Sequence, residues 1–136
     1  MKISQKLEFL MKLAKADAVL SRKLSGQGLG FGDLAVLYAI SRAPEGKIRR
    51  VDLAEAVGLT ASGVTRLLVP LEKTGVVKRE AHERDGRVSY TVMTKAGKQL
   101  FEDAVKWIEL KVGEFIPTEQ EKKLEQAATI LDGIAR

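Results

Sequence analysis

The sequence contains no cysteine and a single histidine, His82, among its 136 residues. Without cysteine the chain forms no disulfide, offers no thiolate to a metal ion and has no thiol for redox sensing. One imidazole does not make a metal site by itself, because metal ions bound through nitrogen take several ligands. We therefore expect no metal and no other cofactor.

Long apolar runs are also missing. The first ten residues, MKISQKLEFL, alternate charged with apolar side chains, and no stretch supplies the roughly 20 apolar residues that cross a bilayer. The sequence therefore predicts neither a signal peptide nor a spanning helix, no membrane partner and a cytoplasmic location. Hydrophobic residues make up 45% of the chain and charged residues 30%, which is the composition of a chain that folds around a core.

Positive charge exceeds negative charge in this sequence. Lysine and arginine total 23 against 18 acidic residues, which gives a net charge of +5. Such a balance is compatible with a polyanionic partner. The alternative is that the charge only keeps a small protein in solution, and composition alone does not separate the two.

Hydrophobic spacing predicts two helices in the first 42 residues. Residues 3–24 carry apolar side chains three and four positions apart, which is typical of one face of a long helix, and lysines occupy its other face. Residues 25–32, SGQGLGFG, end this helix, and residues 31–40 form a short, strongly apolar second one. The glycines lack the preceding strand, the G-x-G-x-x-G spacing and the Lys-Ser/Thr pair of a nucleotide-binding loop, so we expect a flexible connector.

The middle of the chain predicts two short helices followed by a β-hairpin. Residues 51–58 form the first helix and residues 60–75 the second, and a glycine ends each of them. Residues 76–80 and 87–92 are β-prone. They flank Asp85-Gly86, a dipeptide favoured in tight hairpin turns because both positions tolerate positive φ.

Two more helices complete the prediction. Thr94 is placed to cap a long helix that runs to about Gly113. Thr118, with Glu121 three residues on, has the spacing of a capping box for a last helix that ends near Ile134. The sequence has no internal repeat, and the predicted fold is mainly α with a small β-hairpin.

The two short helices have the pattern of a helix-turn-helix. The small Ala54 allows the second helix to cross the first closely. The second helix buries apolar residues at i, i+3, i+4 and i+7 and leaves its other side polar. The residues expected to be buried are Leu53, Ala54, Val57, Val64, Leu67, Leu68 and Leu71, and those expected to face outward are Ser62, Thr65, Arg66 and Lys73.

The outward-facing residues are of the types that read double-stranded DNA. Hydroxyl groups near the N-terminus of a helix take phosphates or base edges, and Ser62 and Thr65 supply them. A guanidinium grips guanine O6 and N7 in the major groove, and Arg66 supplies it. The alternative is a helical pair that only packs, and an arginine-bearing hairpin directly after the pair argues against that alternative.

The hairpin tip, HERDGR, carries two arginines that would make a second contact with DNA. Arg84 and Arg87 are expected to reach a flanking minor groove, where the narrow geometry concentrates negative potential. Asp85 lies two residues from Arg87, and we expect the two side chains to pair, which fixes the direction of the guanidinium. His82, at the start of this segment, is expected to be a solvated side chain or a phosphate contact rather than a metal ligand.

The segment DLAEAVGLTASGVTRLLVPLEKTGVVKR, followed by ERDGR and MTKAGKQL, resembles the MarR family of multiple-antibiotic-resistance-type regulators over residues 51–100. The outer helices agree with the family in order, length and pattern. The resemblance implies a winged helix-turn-helix core flanked by long N- and C-terminal dimerisation helices, a homodimer on a pseudo-palindromic operator, and release by a small ligand. The family's D-x-R wing signature falls on Asp85 and Arg87, and its recognition-helix contacts fall on Ser62, Thr65 and Arg66.

Two features depart from the family's pattern. Pro70 lies inside the recognition helix, where it removes a backbone N–H and is expected to kink the C-terminal half. The glycine-rich connector before Phe31 is unusual, so the region in which relatives hold ligands is expected to differ here.

The terminal helices are predicted to join two copies of the chain. Residues 1–30 and 94–136 form a helical dimerisation region around a winged helix of residues 31–93, in one intertwined domain. A rigid two-fold frame is needed because a dimeric reader holds its recognition helices about 34 Å apart. The alternative is that these helices complete the core of one chain, and Trp107 and Phe115 fit either arrangement. The residues assigned to the dimer interface are Ile3, Leu7, Leu10, Met11, Leu124, Leu131 and Ile134.

These features predict a sequence-specific transcriptional regulator that binds double-stranded DNA as a homodimer. We expect a repressor, although the sequence does not itself separate a repressor from an activator, and the resemblance implies release by a small-molecule effector. A winged helix used only for protein contacts is the second candidate, but it would present an apolar recognition face, and this face is polar and basic. An enzyme is the third candidate. The sequence has no paired carboxylates in a pocket-like context, no nucleophile elbow and no phosphate loop, so we expect no enzymatic activity.

Overall fold

The computed structural model describes all 136 residues, and its elements follow the predicted order with one additional strand and one additional short helix. None of its helices combines the length and the apolar composition needed to cross a membrane. Two 3-10 helices, Pro44–Gly46 and Thr118–Lys123, accompany the main elements. These main elements are α1 Gln5–Lys23, α2 Phe31–Arg42, β1 Lys47–Arg49, α3 Arg50–Val57, α4 Ala61–Lys73, β2 Val77–Ala81, β3 Ser89–Met93, α5 Lys95–Glu109, α6 Val112–Phe115 and α7 Leu124–Ile134.

The core lies where α2 meets α3, α4, the sheet and α5. Each large apolar side chain that is fully buried contributes about 1.5–3 kcal/mol relative to an exposed one, so this cluster fixes how the helices sit on the sheet. The residues expected to be buried in α3 and α4 lie in or against this cluster, which confirms their prediction. Its buried members are Leu29, Val36, Leu37, Ile40, Leu53, Ala54, Val64, Leu68, Leu71, Val76, Val77 and Ala104.

The turn between α3 and α4 forms as the sequence predicts. Gly58 ends α3 in the left-handed region, with φ 70°, which glycine adopts without the steric cost of a Cβ. Thr60 caps α4, because its side-chain oxygen accepts the backbone N–H of Gly63 at 3.1 Å. α4 is continuous through Pro70 to Lys73, and the kink expected at Pro70 stays a prediction.

The sheet has three strands rather than the predicted two. Its order is β1-β3-β2 and all pairings are antiparallel, with β1 joined to the hairpin through Lys47 opposite Val92. The predicted two-residue hairpin turn centred on Asp85-Gly86 does not form, since neither residue takes positive φ, and the turn that the Asp85 carbonyl and the Val88 N–H close is centred on Gly86 and Arg87. Strand pairing instead ends at Ala81, and residues 82–88 form a longer loop with its own hydrogen bonds.

The glycine-rich segment folds into a turn, and the predicted flexibility of this connector stays a prediction. Gly26 and Leu29 exchange two backbone hydrogen bonds of 2.9 and 3.0 Å. Gln27 and Gly28 between them have φ 57° and 81°, as a type I′ turn requires. The ring of Trp107 covers Gly26 so closely that a Cβ there would lie 3.3 Å from it, so Trp107 packs within its own chain.

The C-terminal helices also differ from their predicted bounds. The fifth helix ends at Glu109 rather than near Gly113, and α6 follows as a separate short helix. The capping box of Thr118 and Glu121 does not form. Pro117 instead precedes a 3-10 helix, and α7 begins at Leu124 with no side-chain cap. The predicted end near Ile134 is confirmed.

Candidate nucleic-acid interface

The N-terminal half of α4 presents polar side chains away from the core. Ser62 and Arg66 are exposed, whereas Val64 and Leu68 between and beside them have no accessible surface. The Ser62 hydroxyl lies 3.2 Å from that of the capping Thr60. Arg66 forms no ion pair within the chain. The helix therefore has a free guanidinium one turn after its N-terminus.

Thr65, predicted to face outward, is half-buried and engaged within the chain. Its hydroxyl donates to the carbonyl of Ala61 at 3.0 Å and accepts from Nη1 of Arg50 at 3.2 Å. Since the hydroxyl proton is already donated inside the helix, this oxygen can only accept a further hydrogen bond. Thr65 is thus a more restricted contact than Ser62.

A cluster of charged residues, Arg50, Glu72 and Arg79, joins α3, α4 and β2. Oε1 of Glu72 lies 3.2 Å from Nη2 of Arg50 and 3.7 Å from Nε of Arg79. Together with the contact from Arg50 to Thr65, these interactions fix α4 against both of its neighbours. Sequence analysis missed this cluster because its members lie far apart along the chain and follow no helical or strand period.

The predicted pair at the wing is present. Oδ1 of Asp85 accepts from Nε of Arg87 at 3.1 Å and from the backbone N–H of the same residue at 3.0 Å. These bonds, that of the guanidinium first, hold the pKa of Asp85 below its ordinary value of 3.8. The Arg87 side chain is otherwise 92% exposed, and Arg84 is exposed with no ion pair.

His82 is not the solvated side chain that the sequence suggests. Its Nδ1 accepts the backbone N–H groups of Arg84 at 3.0 Å and of Asp85 at 3.2 Å. The imidazole is half-buried, and its centroid lies 5.8 Å from that of the Tyr90 ring. No pattern in the sequence signals this contact, because side-chain acceptors at such positions are usually Ser, Thr, Asn or Asp.

The base of the wing is held by a cross-strand pair between β1 and β2. Nζ of Lys47 lies 2.7 Å from Oε1 of Glu80 and 6.0 Å from the centroid of Tyr90 on the strand between them. The hydrogen bond and the opposite charge raise the pKa of Lys47 and lower the pKa of Glu80. The short strand β1 thereby supports the hairpin that carries the wing loop.

The residues assigned to a dimer interface all lie on exposed faces of the single chain. Neither α1 nor α7 contains a buried residue. α1 lies against α2, whereas α7 packs mainly on the 3-10 helix that precedes it. Between 41% and 58% of the surface is exposed for each of Ile3, Leu7, Leu10, Met11, Leu124, Leu131 and Ile134.

The helix-turn-helix of α3 and α4, followed by the β2–β3 hairpin, defines a winged helix-turn-helix protein. A sequence model of the MarR family matches residues 27–88 of the chain. The uncharacterised HTH-type transcriptional regulator YdgJ of Bacillus subtilis is 27% identical over 134 residues, which cover 98% of this chain and 79% of that protein. The HTH-type transcriptional repressor YetL of the same organism is 28% identical over 88 residues, or 65% of this chain and 53% of YetL.

Solved structures agree with the fold over almost the whole chain. The transcriptional regulator BldR from Sulfolobus solfataricus superposes with a TM-score of 0.80 at 26% identity, covering 97% of this chain and 98% of BldR. Sco3205, a MarR family transcriptional regulator from Streptomyces coelicolor crystallised with DNA, gives 0.74 at 21% identity over 97% of this chain and 89% of Sco3205. Over residues 27–88 this chain is therefore similar to the MarR family of transcriptional regulators, and its fold is that of solved members of the family. The predicted resemblance to this family and the predicted fold class are confirmed. The relatives that match are transcriptional regulators, in agreement with the prediction of no enzymatic role.

Proposed function

We propose that two copies of this chain bind a pseudo-palindromic operator in double-stranded DNA and repress transcription from it. In each copy α4 enters the major groove with Ser62, Thr65 and Arg66. The observation that carries the proposal is the division of α4 into two sides: its apolar side is buried in the core, whereas its polar side is exposed and Arg66 has no acidic partner.

The wing supports the same proposal. Arg84 and Arg87 are exposed on the loop beyond the β2–β3 hairpin, and in this proposal they enter a flanking minor groove. Asp85 engages Nε and Nη2 of Arg87 and leaves its Nη1 without a partner in the chain. The carboxylate thus directs the guanidinium, and Nη1 of the guanidinium remains free for DNA.

The dimer and the sign of regulation are parts of the proposal with separate support. Residues 1–30 and 94–136 supply the apolar faces for dimerisation, and residues 31–93 form the DNA-binding part. Repression is supported by the similarity to the repressor YetL. A dimer that covers a promoter sequence excludes other proteins from it, so repression needs no further activity.

Release by a small effector is the last part of the proposal. A groove of about 1270 Å³ lies between α2, α3, β1 and the root of the wing, with Tyr38, Arg42, Asp52 and Tyr90 among its lining residues. A molecule bound there would contact both the helix-turn-helix and the wing. It must prefer the form that does not bind DNA, by about 1–3 kcal/mol for typical coupling. A compound that binds the free protein but leaves the affinity for DNA unchanged would contradict this role.

Selection from random duplex DNA at near-physiological salt tests the proposal. The wild type is expected to enrich a two-fold symmetric motif with half-sites about one helical turn apart. Arg66→Ala is expected to relax the preference at one position of each half-site at a cost of about 1–3 kcal/mol. Arg87→Ala is expected to weaken binding to all sequences and to reduce the salt dependence by about one phosphate contact.

Lys12→Ala, which removes one positive charge from α1, is the control for net charge and is expected to select the wild-type motif with the wild-type preference. If both arginine variants bind the selected duplex as the wild type does, the assigned reading residues are wrong. If the wild type enriches no motif, sequence-specific binding is wrong.

A further inference from the structure

The wing loop, residues 82–88, is held by two side chains that accept backbone hydrogen bonds, one after the other along the chain. His82 accepts the backbone N–H groups of Arg84 and Asp85 at its Nδ1, and Asp85 in turn accepts the N–H of Arg87. Backbone bonds close the loop: the N–H of Val88 donates to the Asp85 carbonyl at 3.0 Å, and the N–H of His82 donates to the Val88 carbonyl at 2.9 Å. The backbone N–H of each arginine is therefore held by the side chain of the residue two positions before it.

The contact of His82 requires one form of the imidazole. Nδ1 accepts hydrogen bonds only when it carries no proton, so the ring is neutral with its proton on Nε2. In this form the side chain does what Asn, Asp or Ser does in a turn or at a helix N-terminus, where it accepts N–H groups two or three residues ahead. Packing against Tyr90, at 5.8 Å between centroids and 32° between planes, holds the ring in place.

We propose that His82 is a positioning residue for DNA binding, whose Nδ1 holds the wing loop in the conformation that presents Arg84 and Arg87 to the minor groove. The proposal rests on the DNA-binding function proposed above. Without this acceptor, two backbone N–H groups turn to solvent and the loop gains conformations in which the arginines point elsewhere. Binding must then order the loop as well as contact the DNA, which lowers the affinity.

Two substitutions separate the effect of the hydrogen-bond acceptor from the effect of the aromatic ring. His82→Phe keeps an aromatic ring against Tyr90 and removes the acceptor, whereas His82→Asn removes the ring and keeps an oxygen that can accept the N–H of Arg84. For a selected duplex we expect His82→Phe to bind about five- to tenfold more weakly, because the N–H groups of Arg84 and Asp85 lose their acceptor, and His82→Asn to stay within about twofold of the wild type. Equal losses in both variants, or no loss in His82→Phe, would overturn the proposal.

Measurements without DNA separate this role from the function on which it rests. Because His82 is the only histidine, its imidazole nitrogen signals in an NMR spectrum need no assignment by mutation. We expect the Nε2-protonated tautomer near neutral pH. Exchange of the Arg84 and Asp85 amide protons is expected to be faster in His82→Phe than in the wild type, and restored at Arg84 in His82→Asn.

A proton found on Nδ1, or amide exchange unchanged in His82→Phe, would show that the acceptor does not order the loop and would overturn the proposal. The tautomer and the exchange can be as expected while the wild type binds no duplex. In that case the proposed DNA-binding function is wrong, and with it the role of His82 in that function, but His82 still orders the loop. We expect an unchanged melting temperature for His82→Phe, which would show that its loss of affinity arises in the loop.

Discussion

Gly97 lies at a position where no larger side chain fits. It occupies the first turn of α5, and a Cβ there would stand 1.9 Å from the carbonyl oxygen of Val76. Thr94 brings the two segments together, because its backbone N–H donates to Val76 at 3.0 Å and its hydroxyl accepts from the N–H of Gly97 at 3.0 Å. The start of α5 and the start of the hairpin are therefore in direct backbone contact.

Gly97→Ala is expected to destabilise the protein by about 1–3 kcal/mol, since the new methyl group forces backbone apart where no flexible side chain can give way. Urea denaturation followed by circular dichroism measures the change. Gly113→Ala is the matched control: nothing lies within 4 Å of its added Cβ, so the same substitution is expected to be neutral or to stabilise by up to about 1 kcal/mol. Similar free energies of unfolding for the two variants would contradict the close contact of α5 with the hairpin.

The wing loop is the element whose order depends most visibly on ionised groups. Arg87 lowers the pKa of Asp85, through its guanidinium first and its backbone N–H second. A carboxyl group with a lowered pKa in the folded protein stabilises it above the ordinary pKa, and this contribution is lost as pH falls through the folded value. The pair of Asp85 and Arg87 is thus complete at neutral pH.

We expect the Nε proton of Arg87 to keep its hydrogen-bonded chemical shift from pH 7 to pH 5 and to change only below about pH 4. NMR spectra of the arginine side chains across this range measure the transition. In Asp85→Asn, which keeps an oxygen for the backbone N–H of Arg87 but has no charge to titrate, no such transition is expected. A midpoint above the ordinary value for an aspartate, or the same transition in the variant, would contradict the pairing.

Elements with a long apolar repeat and a recognisable end are those that the sequence predicts well. α4 has a capping Thr60 and a four-residue core pattern that includes Val64 and Leu68, and both its bounds and its buried side agree with the structure. Strand β1 was missed because three residues are too few to show alternation, and its pairing with β3 is set by residues more than forty positions away. The separate helix α6 was missed because a break at Lys111 carries no glycine or proline.

Prediction of the candidate site was limited in the same way. The exposed Ser62 and Arg66 follow from helical periodicity, and the pair of Asp85 with Arg87 follows from its two-residue spacing. The half-buried state of Thr65 depends on Arg50, which reaches it from the preceding helix. Contacts of this kind arise only after the elements have packed, so local sequence patterns do not encode them.

At the scale of the whole molecule, the two terminal helices leave apolar surface without a partner. α1 and α7 bury no residue in the single chain, although each carries a stripe of large apolar side chains. Contiguous apolar surface of more than a few hundred Å² on a folded chain is typical of an interface, and stable interfaces bury about 1,600 Å² in total.

Leu131→Glu is expected to convert the proposed dimer to a monomer, because it places a charge on the apolar side of α7. Sedimentation at micromolar concentration is expected to give twice the chain mass of 14.9 kDa for the wild type and a single chain mass for the variant. Val51→Glu introduces the same charge at an apolar side chain of α3 that is 63% exposed, and it is expected to remain dimeric. If Leu131→Glu does not fold, the melting temperature of the wild type provides the test, since it must rise with protein concentration for a dimer.

The same variant, Leu131→Glu, tests whether the proposed dimer is needed for binding to a full operator. A two-fold dimer gains affinity from two half-sites about 34 Å apart, whereas a monomer reads each half-site alone. The wild type is therefore expected to bind a full operator far more tightly than a half-site, and Leu131→Glu to bind both with similar, weak affinity while its recognition helix stays intact. A wild type that sediments as a monomer, or a Leu131→Glu variant that keeps the preference for the full operator, would show that α7 does not set the spacing between the two recognition helices.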